Sequence, residues 1–172
     1  MKLFAVVILA LSTVASATLK HKRRPAVGTC QNPVKHVEWR SLTQAQRNSF
    51  HNAVKCLRAK GTDQGMTQYD LYPSVHDKLY DQAHYVAQFL PWHRMFLWLR
   101  RLDLQDCGYG GPTPYWDWTI DSGKLSTSKI WDPVAGFGGN GNTNTQDHCV
   151  ENGPYADFWV RGILIHTSED AR

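Results

Sequence analysis

The sequence contains no Cys-x-x-Cys pair, no Asn-x-Ser/Thr sequon, no internal repeat and no low-complexity tract. Each absence narrows the field. Without the Cys-x-x-Cys spacing, the four cysteines point to neither a zinc knuckle nor a thioredoxin-like redox site. Without a sequon, the chain gives no sign of N-glycosylation. No basic stripe interleaved with aromatics is present, so the formal charge of +4 does not suggest nucleic acid as a partner. The apolar run from Leu3 to Leu11 is too short to span a bilayer, and no other segment is long and apolar enough to be a membrane anchor.

The residues that are present suggest a secreted protein. Lys2, the run Leu3 to Leu11, and Ala15-Ser16-Ala17 match the charged, apolar and small-residue parts of a secretory signal peptide over residues 1–17. Cleavage there leaves about 155 residues, enough for one domain that buries roughly 70% of its unfolded surface. Residues 18–29 carry the basic cluster Lys20 to Arg24, read as a mobile mature N-terminus or a dibasic processing site. In an oxidising compartment Cys30, Cys56, Cys107 and Cys149 are expected to form two structural disulfides, with three connectivities open.

Periodicity suggests a mainly α chain with long ordered loops. From Glu38 to Gly61, Leu42, Phe50, Val54 and Leu57 return on one helical face, with Ser41 and Gln44 placed as a capping box. His51 on this helix and His36 before it are read as packing or surface residues. A second helix is expected to start at Pro73 and run to Pro91. Pro91 then breaks the pattern and opens a third, in which Trp92, Met95, Phe96, Leu99 and Leu102 recur until Gly108 stops it. Beyond Pro112, "TPYWDWTID" and the Gly- and Asn-rich stretch after it read as ordered loops over a helical body.

His76, His84 and His93 fall in the helical middle. Eight residues along a straight helix is about 800°, leaving His84 some 80° around from His76. The break at Pro91 lets a new helix bring His93 back towards them. Two antiparallel helices offering imidazoles to a shared centre is a common way to build a metal site, and imidazole suits zinc, copper, iron and nickel. No carboxylate ligand stands in register, although Asp77 or Asp81 could orient a ring. The lack of a general-base Glu beside the histidines disfavours a zinc hydrolase.

Several separate phrases, "FLPWHRMFLWL", then "CGYGGPTPYWDW", then "FGGNG" with "HCV" and "GPYADF", occur in an order that resembles the tyrosinase and catechol oxidase family of type 3 copper proteins. The resemblance covers roughly residues 30–160, leaving 161–172 as a divergent tail. It implies a helical bundle with two coppers, each on three histidines, that oxidises mono- or o-diphenols to quinones with dioxygen. On that pattern His76, His84 and His93 are the ligands of the first copper, and Phe89 and Trp92 pack around it. His148 matches a non-ligand position. Gln82 stands where some members carry a cysteine that forms a thioether to the second ligand, so no such crosslink arises there.

The family's second copper would require a His-x-x-x-His pair on a helix and a third histidine beyond it. After His93 the chain has only His148 and His166. The expectation is therefore an incomplete copper domain, a truncated form of a larger phenol oxidase. The alternative is a catalytically inactive protein that binds a single copper, with oxygen carriage a minor candidate.

Overall fold

Thr43, not Ser41, opens the first long helix. The Thr43 hydroxyl accepts from the Gln46 N–H, and the Gln46 side chain accepts from the Thr43 N–H at 2.9 Å, a complete capping box. The box sits two residues later than expected because Trp39–Ser41 first makes a 3-10 turn that sends the Trp39 ring into the core. The computed structural model describes residues 33–62, 65–144, 148–156 and 158. The leader-like residues, the basic segment, Cys30 and the tail with His166 lie outside them.

Helix α1 spans Gln44–Ala59, and its expected apolar face is buried at Phe50, Val54 and Leu57, while Leu42, expected on that face, precedes the helix and is buried at the end of the Trp39–Ser41 turn. Trp39, Leu104, Tyr109 and Ile130 join that face to form the core. His51 is buried there too, its Nδ1 2.8 Å from the Tyr155 hydroxyl.

Helix α2 spans Gln68–Lys78, beginning five residues before Pro73. Thr67 and Asp70 form a second capping box upstream, and the fully buried Asp70 also takes Arg58 at 2.8 Å. That start is strong enough to carry Pro73 inside the helix, where the ring keeps a helical φ at the loss of one backbone hydrogen bond.

The expected single helix up to Pro91 does not form. Leu79 leaves helical geometry, α3 is a short turn at Tyr80–Ala83, and His84 is extended. Tyr85 is left-handed at φ 58°. The break thus precedes Pro91, which sits third in α4, Phe89–Asp106, where its missing N–H has no intrahelical acceptor to serve. Cys107 caps α4 and Gly108, at φ +88°, turns the chain away.

The order of contacts fixes how α2 meets α4. Gln68 reaches Asp103, Tyr72 reaches Asp103 and Phe96, and His76 reaches His93. As α2 advances, its partners on α4 recede, so the two helices are antiparallel.

The family-like aromatic phrase after α4 supplies a strand that periodicity did not suggest. β1, His36–Glu38, pairs in parallel with β2, Thr113–Tyr115, in the register His36 to Thr113. Just beyond, Asp121 accepts from Trp116 Nε1, Ser128 Oγ and Arg40, tying the loops to the start of the fold. Burial opposes those donors, but they win and hold the Asp121 carboxyl below its usual range, with the Trp116 bond the largest cause.

One disulfide, Cys56–Cys107, joins the last turn of α1 to the end of α4. The second expected disulfide is not described, Cys30 being outside the described residues. Among those residues no helix is long and apolar enough to cross a membrane.

Candidate metal centre

Three backbone events bring the histidines together. His76 lies in the last turn of α2, His84 caps the end of α3, and His93 is in the second turn of α4. Their ring centroids are 4.9 Å (His76 to His84), 5.0 Å (His84 to His93) and 5.4 Å (His76 to His93) apart. One ligand nitrogen from each lies within 4.8 Å of the others, and all three residues are half-buried. Among the described residues this is the one group of three or more such side chains with that spacing.

Two of the rings are oriented by the backbone. His84 Nδ1 is 2.9 Å from the Tyr80 carbonyl and His93 Nδ1 is 2.7 Å from the Phe89 carbonyl. A carbonyl oxygen only accepts, so Nδ1 carries the proton in both rings and Nε2 keeps its lone pair. This is the arrangement that a metal-ligating imidazole needs. Asp77 and Asp81 make no hydrogen bond to the rings among the described residues, and carbonyls four residues back take that role instead.

The donor set fits a small divalent or monovalent transition metal. His76 Nε2 and His93 Nε2 are 3.3 Å apart. Two nitrogens each about 2 Å from a common ion stand about that far apart at a tetrahedral angle. Burial, followed by the neighbouring His84 and His93, pushes the His76 imidazole below its ordinary pKa, which favours the neutral form with a free lone pair. Three neutral imidazoles suit copper, zinc and iron.

Aromatic rings surround the group. Phe89 lies 4.4 Å from His93 and 5.7 Å from His84, and Trp92 lies 4.8 Å from His93 and 5.9 Å from His76. Tyr80, 4.5 Å from His84, and Phe96, stacked on Trp92 at 4.9 Å, complete the wall; periodicity places both on helices without assigning them to the site. Their signal was the helical neighbour spacing, four residues before one histidine and three after another. The clamp of Gln68 and Tyr72 on Asp103 also went unread, because it depends on which face of α4 meets α2. His148 is exposed, at φ 48°, and is not part of the group.

The chain matches the model of the common central domain of tyrosinase over residues 64–171. It is 44% identical over 136 residues to the tyrosinase-like protein phomQ1' of Diaporthe leptostromiformis, covering 74% of this chain and 36% of that protein. It is 39% identical over 135 residues to the tyrosinase ustQ of Aspergillus flavus, covering 74% and 38%. Among solved structures it is similar to a polyphenol oxidase variant from Thermothelomyces thermophila, with a TM-score of 0.63 and 28% identity over 73% of this chain and 40% of that one. The chain thus spans little more than a third of the length of these curated relatives.

Proposed function

The chain belongs to the tyrosinase family, and on that premise we propose that His76, His84 and His93 hold one copper in a secreted phenol oxidase, which oxidises mono- or o-diphenols to quinones with dioxygen. The observation that carries this reading is the trio of ligand nitrogens within 4.8 Å, two of them on rings whose Nδ1 is already bonded to a carbonyl. Bound copper supplies the electron transfer between phenol and dioxygen.

The chain's own residues do the rest. The Tyr80 and Phe89 carbonyls hold the His84 and His93 rings against rotation, so both present Nε2 without reorganisation when the ion arrives. Phe89, Trp92 and Tyr80 pack against the rings and limit their movement. The Tyr72 and Gln68 clamp on Asp103 fixes the register of α2 on α4, and with it the meeting of His76 and His93.

A second reading is copper binding without turnover. It is favoured by the single three-histidine group among the described residues, since the family's reaction uses two coppers. Copper titration with electron paramagnetic resonance tests both. An isolated Cu(II) is visible to the method, whereas a coupled pair is silent. We expect about one visible copper per chain. Catechol-dependent oxygen uptake then separates oxidase from binding protein, and no copper above background refutes both.

A further inference from the structure

The Gly- and Asn-rich loop carries two Asn-Gly pairs, Asn140–Gly141 and Asn152–Gly153, that play no part in the metal centre. An asparagine followed by glycine is chemically labile. With no side chain on the next residue, that residue's backbone nitrogen can approach the asparagine's own side-chain carbonyl carbon. Whether it does so depends on how freely the amide and the backbone turn to bring the two atoms together.

The two pairs differ on this point. The Asn152 Oδ1 accepts from the Gly139 N–H at 2.6 Å, and its amide lies so close to Gly139 that a Cβ there would collide with it. The backbone is held as well, since Gly153, at φ +85°, packs directly on Gly138 and leaves no room for a side chain. The bond from Gly139 polarises the Asn152 carbonyl, but to reach the Gly153 nitrogen the amide would have to give up both that bond and its packing. Asn140, by contrast, is exposed, and among the described residues neither its amide nor the Gly141 N–H makes a hydrogen bond. Gly141 is nonetheless required, because a Cβ there would collide with the His148 carbonyl. The fold thus sets an untethered amide beside a residue that can only be glycine. The next asparagine, Asn142, is followed by Thr143, whose branched side chain crowds the attacking nitrogen. Its own N–H and amide are bonded to the Cys149 carbonyl and the Glu151 carboxylate.

We propose that Asn140 is a site of spontaneous deamidation in the folded chain and that the fold protects Asn152 from the same reaction. The Gly141 nitrogen bonds to Cγ of Asn140 while the side-chain nitrogen leaves as ammonia, taking the proton that the Gly141 nitrogen loses, and a succinimide ring closes. Water then opens the ring at either carbonyl, leaving aspartate or isoaspartate. The net change is one water consumed and one ammonia released, with no oxidant or reductant. Each event adds a negative charge, and isoaspartate also routes the backbone through Cβ. The lengthened segment loosens the bond of the Asn142 N–H to the Cys149 carbonyl, 3.0 Å long in the unmodified chain. Phe137, three residues upstream of Asn140, stacks on Tyr155, and both rings pack on His51, so the change falls beside the core.

The test incubates the full chain in mildly alkaline buffer made with heavy-oxygen water, then maps its peptides by mass spectrometry. The label is expected to enter at Asn140 at least about tenfold faster than at Asn152, and faster as the pH rises, because the attacking nitrogen must lose its proton. In urea the two sites should react at similar rates, since the protection of Asn152 belongs to the fold. Asn140→Gln, whose longer arm must close a larger ring, should remove the label at that position and leave Asn152 unchanged. Equal rates in the folded chain, a faster Asn152, or an Asn140 that is labelled only in urea would overturn the proposal. Copper does not enter the readout, so the outcome stands apart from the metal reading.

Discussion

At His84 and His93 the identity of the ring nitrogen left for a metal is settled by one backbone carbonyl each, those of Tyr80 and Phe89. Spacing alone is a weak signal for the three histidines, and it is the run of phrases beginning with "FLPWHRMFLWL" that marks them as a set. Their orienting partners are not legible there, because a carbonyl carries no side-chain signal and its availability depends on where each helix ends. His51 shows the contrasting case of a histidine built into a core. Burial pushes its imidazole down to about 4, with Lys55 adding to the effect. The folded chain therefore favours neutral His51, while the unfolded chain takes up a proton near pH 6.5. Its contribution to stability is full above about pH 6.5 and is lost as the pH falls towards 4, by about 3 kcal/mol at the lower limit. Urea melts at pH 7 and pH 4.5 should show this loss, and His51→Gln, which does not titrate, should flatten it. An unchanged acid limb in the variant would assign the effect elsewhere. Asp70, fully buried against Arg58, makes a stronger demand. Asp70→Ala leaves that guanidinium without its carboxylate and should cost about 3–5 kcal/mol in chemical denaturation, whereas a cost under about 1 kcal/mol would mean that water replaces the pair.

Between elements, the contact that matters most is the antiparallel seam of α2 and α4. Tyr72 and Gln68 converge on Asp103, and burial together with that bond raises the Tyr72 phenol well above its usual pKa. Tyr72→Phe removes one donor from a part-buried carboxylate and is expected to cost about 1–3 kcal/mol. Because the seam sets where His76 meets His93, copper affinity should fall in the same variant, and an unchanged affinity would show that the site organises itself independently of the seam. The Cys56–Cys107 bridge closes a loop with a sequence separation of 51, so its reduction should lower stability by up to about 4 kcal/mol on chain-entropy grounds. The four helical segments illustrate what local sequence conveys. The apolar face of α1 and the glycine stop of α4 follow from pattern alone. The start of α2 does not, since Thr67 and Asp70 cap it upstream and override Pro73. The α3 break does not either, because Tyr85 adopts a left-handed φ without being glycine. The β1–β2 pairing, joining residues more than seventy positions apart, has no local pattern strong enough to announce it.

Across the molecule, apolar side chains are distributed unusually for a surface. On α4, Leu90 is 74% exposed, and Met95, Leu97, Trp98 and Leu99 are about half exposed, while Val75, Leu79 and Val86 on neighbouring segments add to them. Patches of this kind mark interaction surfaces or aggregation liabilities. The purified chain should bind a hydrophobic dye strongly at pH 7, and Leu97→Lys with Trp98→Glu should reduce that binding without loss of copper; dye binding at background level would mean that this face is covered in solution. The family was legible in the sequence because several motifs occur in order, and its copper follows from that membership. What the chain does with the metal depends on whether a second site meets the first, and spacing within this chain does not supply one among the described residues. The measurement that bears most directly on the central claim is therefore the copper content of the purified chain beside that of His93→Ala. About one copper per chain is expected in the unaltered protein, with loss in the variant by a factor of about a hundred or more in affinity. Copper retained undiminished in His93→Ala, or none bound by the unaltered chain, would contradict the assignment of His76, His84 and His93 as the metal site.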